Sequence, residues 1–378
     1  MSKRNDAGRG LFRCGVLFVV ALLSPELDAE GVDPRVPLRI VTARPSPRFE
    51  LARQATVVWQ ARVLEPLLGA PVADGDGDIV IAHASGLVVE LDRNGRARGT
   101  VRAGSSLALG PVLLASGRRL VVTGDAEAVV LLPSGRVESR SKLSFRDLDS
   151  SALAIATSDG GALVAAGARF ARIGPTGSLT ARGSTSESLR GLFEWHGLGV
   201  LVERGGRVLG LAHAGDPFEI ANLGRPVRAC ELHGDRLLAL VADRDLVELG
   251  LDTRVERTLW SDPPLVPRGV FVLPNGDVRI AASPNLMVAL DSTGREAFRV
   301  QQPGTNSEAF VELLGDARGA MLVATSGLDL RLVGETGEVT EVPGTACPDP
   351  FRPTPLSKGL VVASCRSGLL FGISDKAR

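Results

Sequence analysis

Asp74-Gly75-Asp76-Gly77-Asp78 puts three carboxylates at alternate positions, which is how a calcium-binding loop begins. Calcium takes six or more oxygen ligands, and its loop needs glycine at position six and a closing glutamate. Here position six is Ile79 and the closing glutamate is missing. Asp74, Asp76 and Asp78 are thus a candidate metal set in an incomplete loop, and a solvated hairpin turn accounts for the same residues. The four histidines, His83, His196, His213 and His233, show no metal-ligand spacing. His196 and His233 each precede a glycine that belongs to a recurring turn. Glu194 and Glu231 are read as sharing one slot in successive repeats, either facing a common channel or, as favoured here, exposed beside the turn. No Ser-His-Asp, HExxH, phosphate-loop or dinucleotide-loop context surrounds any of these groups. The expected catalytic set and the expected cofactor set are both none.

The elements that position these residues come from repetition. Gly77, Gly117, Gly160, Gly197, Gly234, Gly276, Gly319 and Gly359 recur at steps of 37 to 43 residues, each between two short apolar runs. A period near 40 built from strands predicts propeller blades. Residues 110–140 display one unit: Pro111–Leu114, a turn at Gly117, Leu120–Val122, a turn at Gly124, Val129–Leu132, a turn at Ser134-Gly135, then a polar outer strand. Near-continuous Val and Leu runs suit strands covered on both faces. Asn94-Gly95, Ser134-Gly135, Thr176-Gly177, Thr293-Gly294 and Thr336-Gly337 mark a second hairpin in each unit. The expected fold is all-β, an eight-bladed β-propeller of four-stranded blades spanning residues 55–378. The last unit lacks an outer strand, and residues 55–63 (ATVVWQARV) are a strand without a blade. They are expected to complete the last blade and close the ring, since an open ring would expose an unpaired edge.

Pro71-Val72, Gly77–Ala82 and Gly86-Leu-Val-Val-Glu-Leu-Asp-Arg-Asn-Gly95 resemble the repeats of the PQQ-like β-propeller superfamily, and Val288–Gly294 is a second such fragment. The superfamily holds quinoprotein dehydrogenases and exported scaffold proteins of the outer-membrane assembly factor B type. The resemblance implies the fold, and function does not follow from fold. Quinoproteins carry a tryptophan under the quinone, a calcium and an adjacent-cysteine disulfide. This chain has no adjacent cysteines, and Trp59, Trp195 and Trp260 fall in no repeated slot.

Basic and acidic residues balance at 43 each, which removes the electrostatic case for nucleic acid, and 4% aromatics leave few stacking platforms. The abundance of arginine, alanine and glycine reads as compositional bias. Lys3, Arg4, Arg9 and Arg13, then Cys14–Leu23, then Ser24–Ala29 have the order of a signal peptide cleaved after Ala29, giving a periplasmic or secreted protein. The apolar run is too short to span a membrane, although an uncleaved anchor is the competing reading. Cys14 precedes the run instead of following it, so it is not a lipid acceptor. Residues 30–54, rich in Pro and Arg, read as a poorly ordered tether with room for a short strand near 38–41.

The functional expectation is a monomeric, non-catalytic module for an unidentified protein partner. Its contact surface would be the rim of second-to-third turns and outer-to-inner connections, including residues 141–151, 184–190, 260–268 and 303–308. The alternatives are an enzyme (hydrolase, lyase or degenerate quinoprotein) or a small-ligand sensor with its site at the central channel. After processing, Cys230, Cys347 and Cys365 remain. Cys347, in the connection into the last inner strand, and Cys365, at the end of the second strand, open on one rim and are expected to pair. Cys230 takes the buried slot of Leu113 in its own blade. The mature protein, unfolded without reductant, should therefore titrate one thiol; three would exclude the bridge.

Overall fold

Left-handed glycines end the first strand of each repeat. Gly77, Gly117, Gly160, Gly197, Gly234, Gly276 and Gly319 all have φ between 58° and 97°, a region that costs a side chain about 1 kcal/mol or more. Gly359 lies outside the described residues. The computed structural model describes residues 40–41, 51, 55–74, 77–145, 148, 152–213, 215–242, 244–262, 265–283, 286–301, 311–356 and 360–374. The chain divides into residues 1–34, which are not described, and residues 35–378, which hold everything below.

Eight sheets of four antiparallel strands follow one another along the described chain, with strands lettered A (inner) to D (outer), and the third carries a fifth, parallel strand beside its A strand. Blade 1 is Val72–Ala73, Ile79–Ala82, Leu87–Leu91, Ala97–Arg102. Blade 2 is Leu107–Leu113, Arg119–Thr123, Glu127–Leu131, Val137–Lys142. Blade 3 is Leu153–Ala156, Ala162–Ala166, Arg169–Ile173, Leu179–Ser184. Blade 4 is Leu189–Trp195, Leu198–Glu203, Arg207–Leu211, Phe218–Asn222. Blade 5 is Val227–His233, Arg236–Val241, Asp245–Gly250, Glu256–Ser261. Blade 6 is Val266–Val272, Val278–Ser283, Leu286–Leu290, Glu296–Gln301. Blade 7 is Val311–Gly315, Met321–Thr325, Leu328–Val333, Val339–Cys347. Blade 8 takes Thr354–Pro355, Leu360–Ser364 and Leu369–Ser374 as A to C, and its fourth strand is Thr56–Arg62.

The apolar residues segregate into eight clusters, each between two consecutive blades. The last joins Ile79 and Ile81 of blade 1 to Val362 and Leu370 of blade 8. The described blades therefore form a ring of β-propeller type. Alternation explains the unbroken apolar runs: in strand 2B, Leu120 and Val122 face blade 3 while Val121 faces blade 1. Both faces are buried, so both parities must be apolar.

Arginine has a structural use that composition did not reveal. Arg119, Arg172, Arg279 and Arg331 are each 4% exposed or less. Arg119 donates to the Leu132 and Pro133 carbonyls and pairs with Glu90 at 2.9 Å in the preceding blade. Arg279 donates to the Val278 and Leu290 carbonyls, reaches the Gly319 carbonyl of blade 7, and lies over the Phe298 ring. A guanidinium has five donors in a planar fork, so one buried side chain can satisfy turn carbonyls of two blades. Compositional bias is therefore an incomplete account of the arginine content.

Two points of the 30–54 stretch are held against the ring. Ile40–Val41 pairs in parallel with Ala154 and Ile155 of strand 3A. The buried Leu51 donates its N–H to Asp316 at 3.0 Å, and its carbonyl accepts from Arg318 at 2.8 Å. Thr56–Arg62 pairs with strand 8C from Thr56↔Ser374 to Arg62↔Leu369, and its Trp59 indole donates to the Arg93 carbonyl of blade 1 at 2.8 Å. Deleting the chain through Val63 should lower Tm by several degrees, since it removes the half-buried Trp59 and leaves strand 8C as an unpaired edge. An unchanged Tm would refute a closing role for this strand.

Candidate functional site

The inner strands bring together one charged group that the sequence reading missed. Arg352, just before strand 8A, donates from Nη1 to Glu231 Oε1 on strand 5A at 3.1 Å. Blades 5 and 8 are three steps apart, so their side chains meet only across the central channel. Burial alone would lower the Arg352 pKa; the carboxylates of Glu231 and of Glu312 on strand 7A outweigh it and raise the pKa. Glu231 is 9% exposed, and its Oε2 is buried without a hydrogen-bond partner among the described residues. Two carboxylates around one guanidinium leave the cluster net negative, suited to accepting a donor or cation. A lone Arg in an irregular connection carries no sequence signal of a partner 121 residues away.

The equivalence of Glu194 with Glu231 is corrected. In blade 4 the turn is His196-Gly197 between Trp195 and Leu198; in blade 5 it is Gly234-Asp235 between His233 and Arg236. Glu194 therefore corresponds to Leu232, not to Glu231. A slip of one residue reverses the face. Glu194 accepts from Ser158 N at 2.7 Å and from its hydroxyl at 2.7 Å in blade 3, whereas Glu231 faces the channel and is buried, not exposed. The same slip separates the histidines. His196 sits in its turn with φ 49°, and His233 ends its strand, where burial lowers its pKa.

His196 Nε2 lies 2.9 Å from Asp235, which also accepts from the Trp195 indole at 2.7 Å. The indole first, then the imidazole, lowers the Asp235 pKa. This pair is open to solvent on the rim of A–B and C–D turns. His213 meets Asp159 at 2.9 Å, and Asp159 also binds Arg172, Thr157 and the Gly161 N–H; these contacts overcome burial and lower its pKa. His83 Nδ1 lies 3.2 Å from the Glu65 carbonyl.

Asp74 accepts from the Asp78 N–H at 3.0 Å and lies near Arg119, while Asp78 is paired with Arg98. Asp76 lies outside the described residues. Among the described residues, no group of three or more His, Cys, Asp and Glu side chains could hold a metal ion. Cys347 ends strand 7D, not the following connection, and Cys365 follows strand 8B; their Cα atoms are 5.8 Å apart, within the range a disulfide needs. Cys230 is buried between blades 4 and 5.

Replacing Arg352 with Leu should destabilise by about 2 kcal/mol by stranding the two carboxylates. This is less than the 3–5 of a fully buried pair, because Arg352 keeps about a third of its side chain in water. Adding Glu231→Leu should recover most of the loss in chemical denaturation. Equal stability of Arg352→Leu and the parent would show that the pair contributes nothing to the fold.

No protein-family model and no curated protein matches the chain. Solved structures do. BamB from Moraxella catarrhalis superposes with TM-score 0.66 at 14% identity, covering 85% of this chain and 100% of BamB. The computationally designed Ika8 protein gives 0.65 at 12%, covering 84% and 98%. Virginiamycin B lyase from Staphylococcus aureus gives 0.56 at 12%, covering 71% and 95%. At such identities the likeness is one of fold.

Proposed function

We propose that this chain is an exported, non-catalytic β-propeller that binds a protein partner through the rim of B–C turns and D–A connections, and that it works as a monomer. The observation that carries the reading is how the site-type residues are used. Asp159, Glu194, Glu248 and Asp316 bind turn donors or arginines of the ring, and Asp235 binds the Trp195 indole of the preceding blade. The rim itself is rigidly mounted: the buried Glu203 accepts from Ser186 N at 2.8 Å, from its hydroxyl at 2.9 Å and from Glu187 N at 3.3 Å, pinning the 184–190 connection. Loops held on a rigid scaffold are where binding concentrates. The superposition on BamB supports a scaffold reading, and the basic, apolar, small-residue order of residues 3–29 supports export with cleavage after Ala29. Among the described residues, no helix is long and apolar enough to cross a membrane. The pairing of Cys347 with Cys365 belongs to the same proposal, as an oxidising compartment permits it.

A channel enzyme or small-ligand site is the second reading. It is favoured by the unpartnered Glu231 oxygen and by the superposition on the lyase.

Leu64, 99% exposed on the proposed rim, and Val255, 62% exposed on the opposite one, allow a direct test. A photo-cross-linking residue at Leu64 should trap a protein from an envelope extract of the host, and one at Val255 should not. Equal trapping at both, or none at either together with turnover of a substrate, would overturn the reading.

A further inference from the structure

Blade 1 has no side chain at a position that blades 2, 6 and 8 use to seal the outer wall. In blades 1, 2, 3, 6 and 8 the D strand has a bulge after its first paired residue, and the next residue paired is Gly99, Ser139, Ala181, Phe298 or Trp59. Three of these lie against the C–D turn glycine of the next blade. A Cβ on Gly177 would come 1.9 Å from Ser139, one on Gly337 2.9 Å from Phe298, and one on Gly95 2.6 Å from Trp59. Two places are open: nothing lies within 4 Å of a Cβ built on Gly215 of blade 4, the blade after Ala181, and beside Gly99 nothing lies within 4 Å of a Cβ built on Gly99 itself or on Gly135 of blade 2.

The result is a groove of about 280 Å³ between blades 1 and 2. Its walls include Val80, Val101, Leu131 and Pro133, and the Glu90–Arg119 pair lines it as well. Arg98 and Arg136 stand exposed along it. Arg98 is paired with Asp78, while the Arg136 side chain has no ion-pair partner among the described residues.

We infer that this groove is a binding site for one aromatic side chain of a partner protein, presented in an acidic segment. The inference rests on the protein-binding reading above and names a second contact for it. The ring supplies the argument for the occupant, since in blades 6 and 8 the same register position takes a phenyl or an indole ring lying on a turn glycine. The volume falls just below the range of pockets for drug-sized ligands and suits a single side chain. The uncompensated guanidinium of Arg136 selects for carboxylates beside the aromatic group. An aromatic anchor in a pocket with a charged rim is the usual form of an interface hot spot.

The test uses a fluorescein-labelled pentapeptide, Gly-Glu-Trp-Glu-Gly, and the mature protein. Saturable binding by anisotropy is expected, weakened about tenfold or more by Gly99→Phe, by Arg136→Glu, or by Ala in place of the peptide's Trp. Gly99 is not in the left-handed region, so Gly99→Phe should refill the slot from within and raise Tm. Arg136→Glu alters only an exposed turn residue and keeps the test valid if the first variant folds poorly. Equal binding to Gly99→Phe, or no saturable binding, would overturn the site. Displacement by indole-3-acetate at the same concentration as by unlabelled peptide would overturn it in favour of a small acid. A partner trapped at Leu64 with no saturable peptide binding at the groove would overturn the groove and leave the rim reading standing.

Discussion

A four-stranded blade has two apolar faces and can bury neither by itself. Everything else in this molecule follows from that constraint. Each face is covered only by the next blade, and the eight clusters between consecutive blades are the core. The first blade also needs a cover, so the ring must return on itself. The contact of Ile79 and Ile81 with Val362 and Leu370 supplies it. The terminal sheet combines Thr56–Arg62 with Leu369–Ser374, placing residues from both ends of the ring in one hydrogen-bonded ladder.

Charge in this protein serves the same architecture. Turns at the rims leave carbonyls and N–H groups that the sheets do not pair, and these must be satisfied where neighbouring blades bury them. Arg119 and Arg279 take carbonyls, while Asp316 and Glu203 take N–H groups. Each places a charged group in a nearly dry position, which is tolerable only with several partners at once. That use of carboxylates and guanidinium groups weighs against reading every acidic or basic cluster as chemistry. The Arg352–Glu231 contact is different in kind, since it reaches across the ring and leaves one carboxylate oxygen without a partner among the described residues.

Binding in such a body falls to places where the repeat is broken. The strand order recurs in every blade while the rim connections vary in length, so contacts can change there with little loss of core. The groove at Gly99 is another kind of break, a single side chain removed from a wall that Phe298 and Trp59 fill elsewhere. Both kinds of site are held by rigid sheets, which limits the ordering cost of association.

The period near 40, the turn glycines and the doubly apolar strands were legible in the residues, because backbone conformation and strand alternation are local properties. From them came the fold class, the order of strands within a blade and the number of blades. The face on which a residue lands was less secure. Glu194 and Glu231 look alike from their distance to a glycine, yet a turn beginning one residue earlier sends one to Ser158 and the other into the channel. The roles of Arg279, Arg352 and Leu51 were not legible at all. Their partners lie 40, 121 and 265 positions away and are set by how blades stack around an axis. Short-range pattern determined the repeating unit; only closure of the ring decided which side chains meet, since contacts between blades depend on curvature that no single repeat encodes.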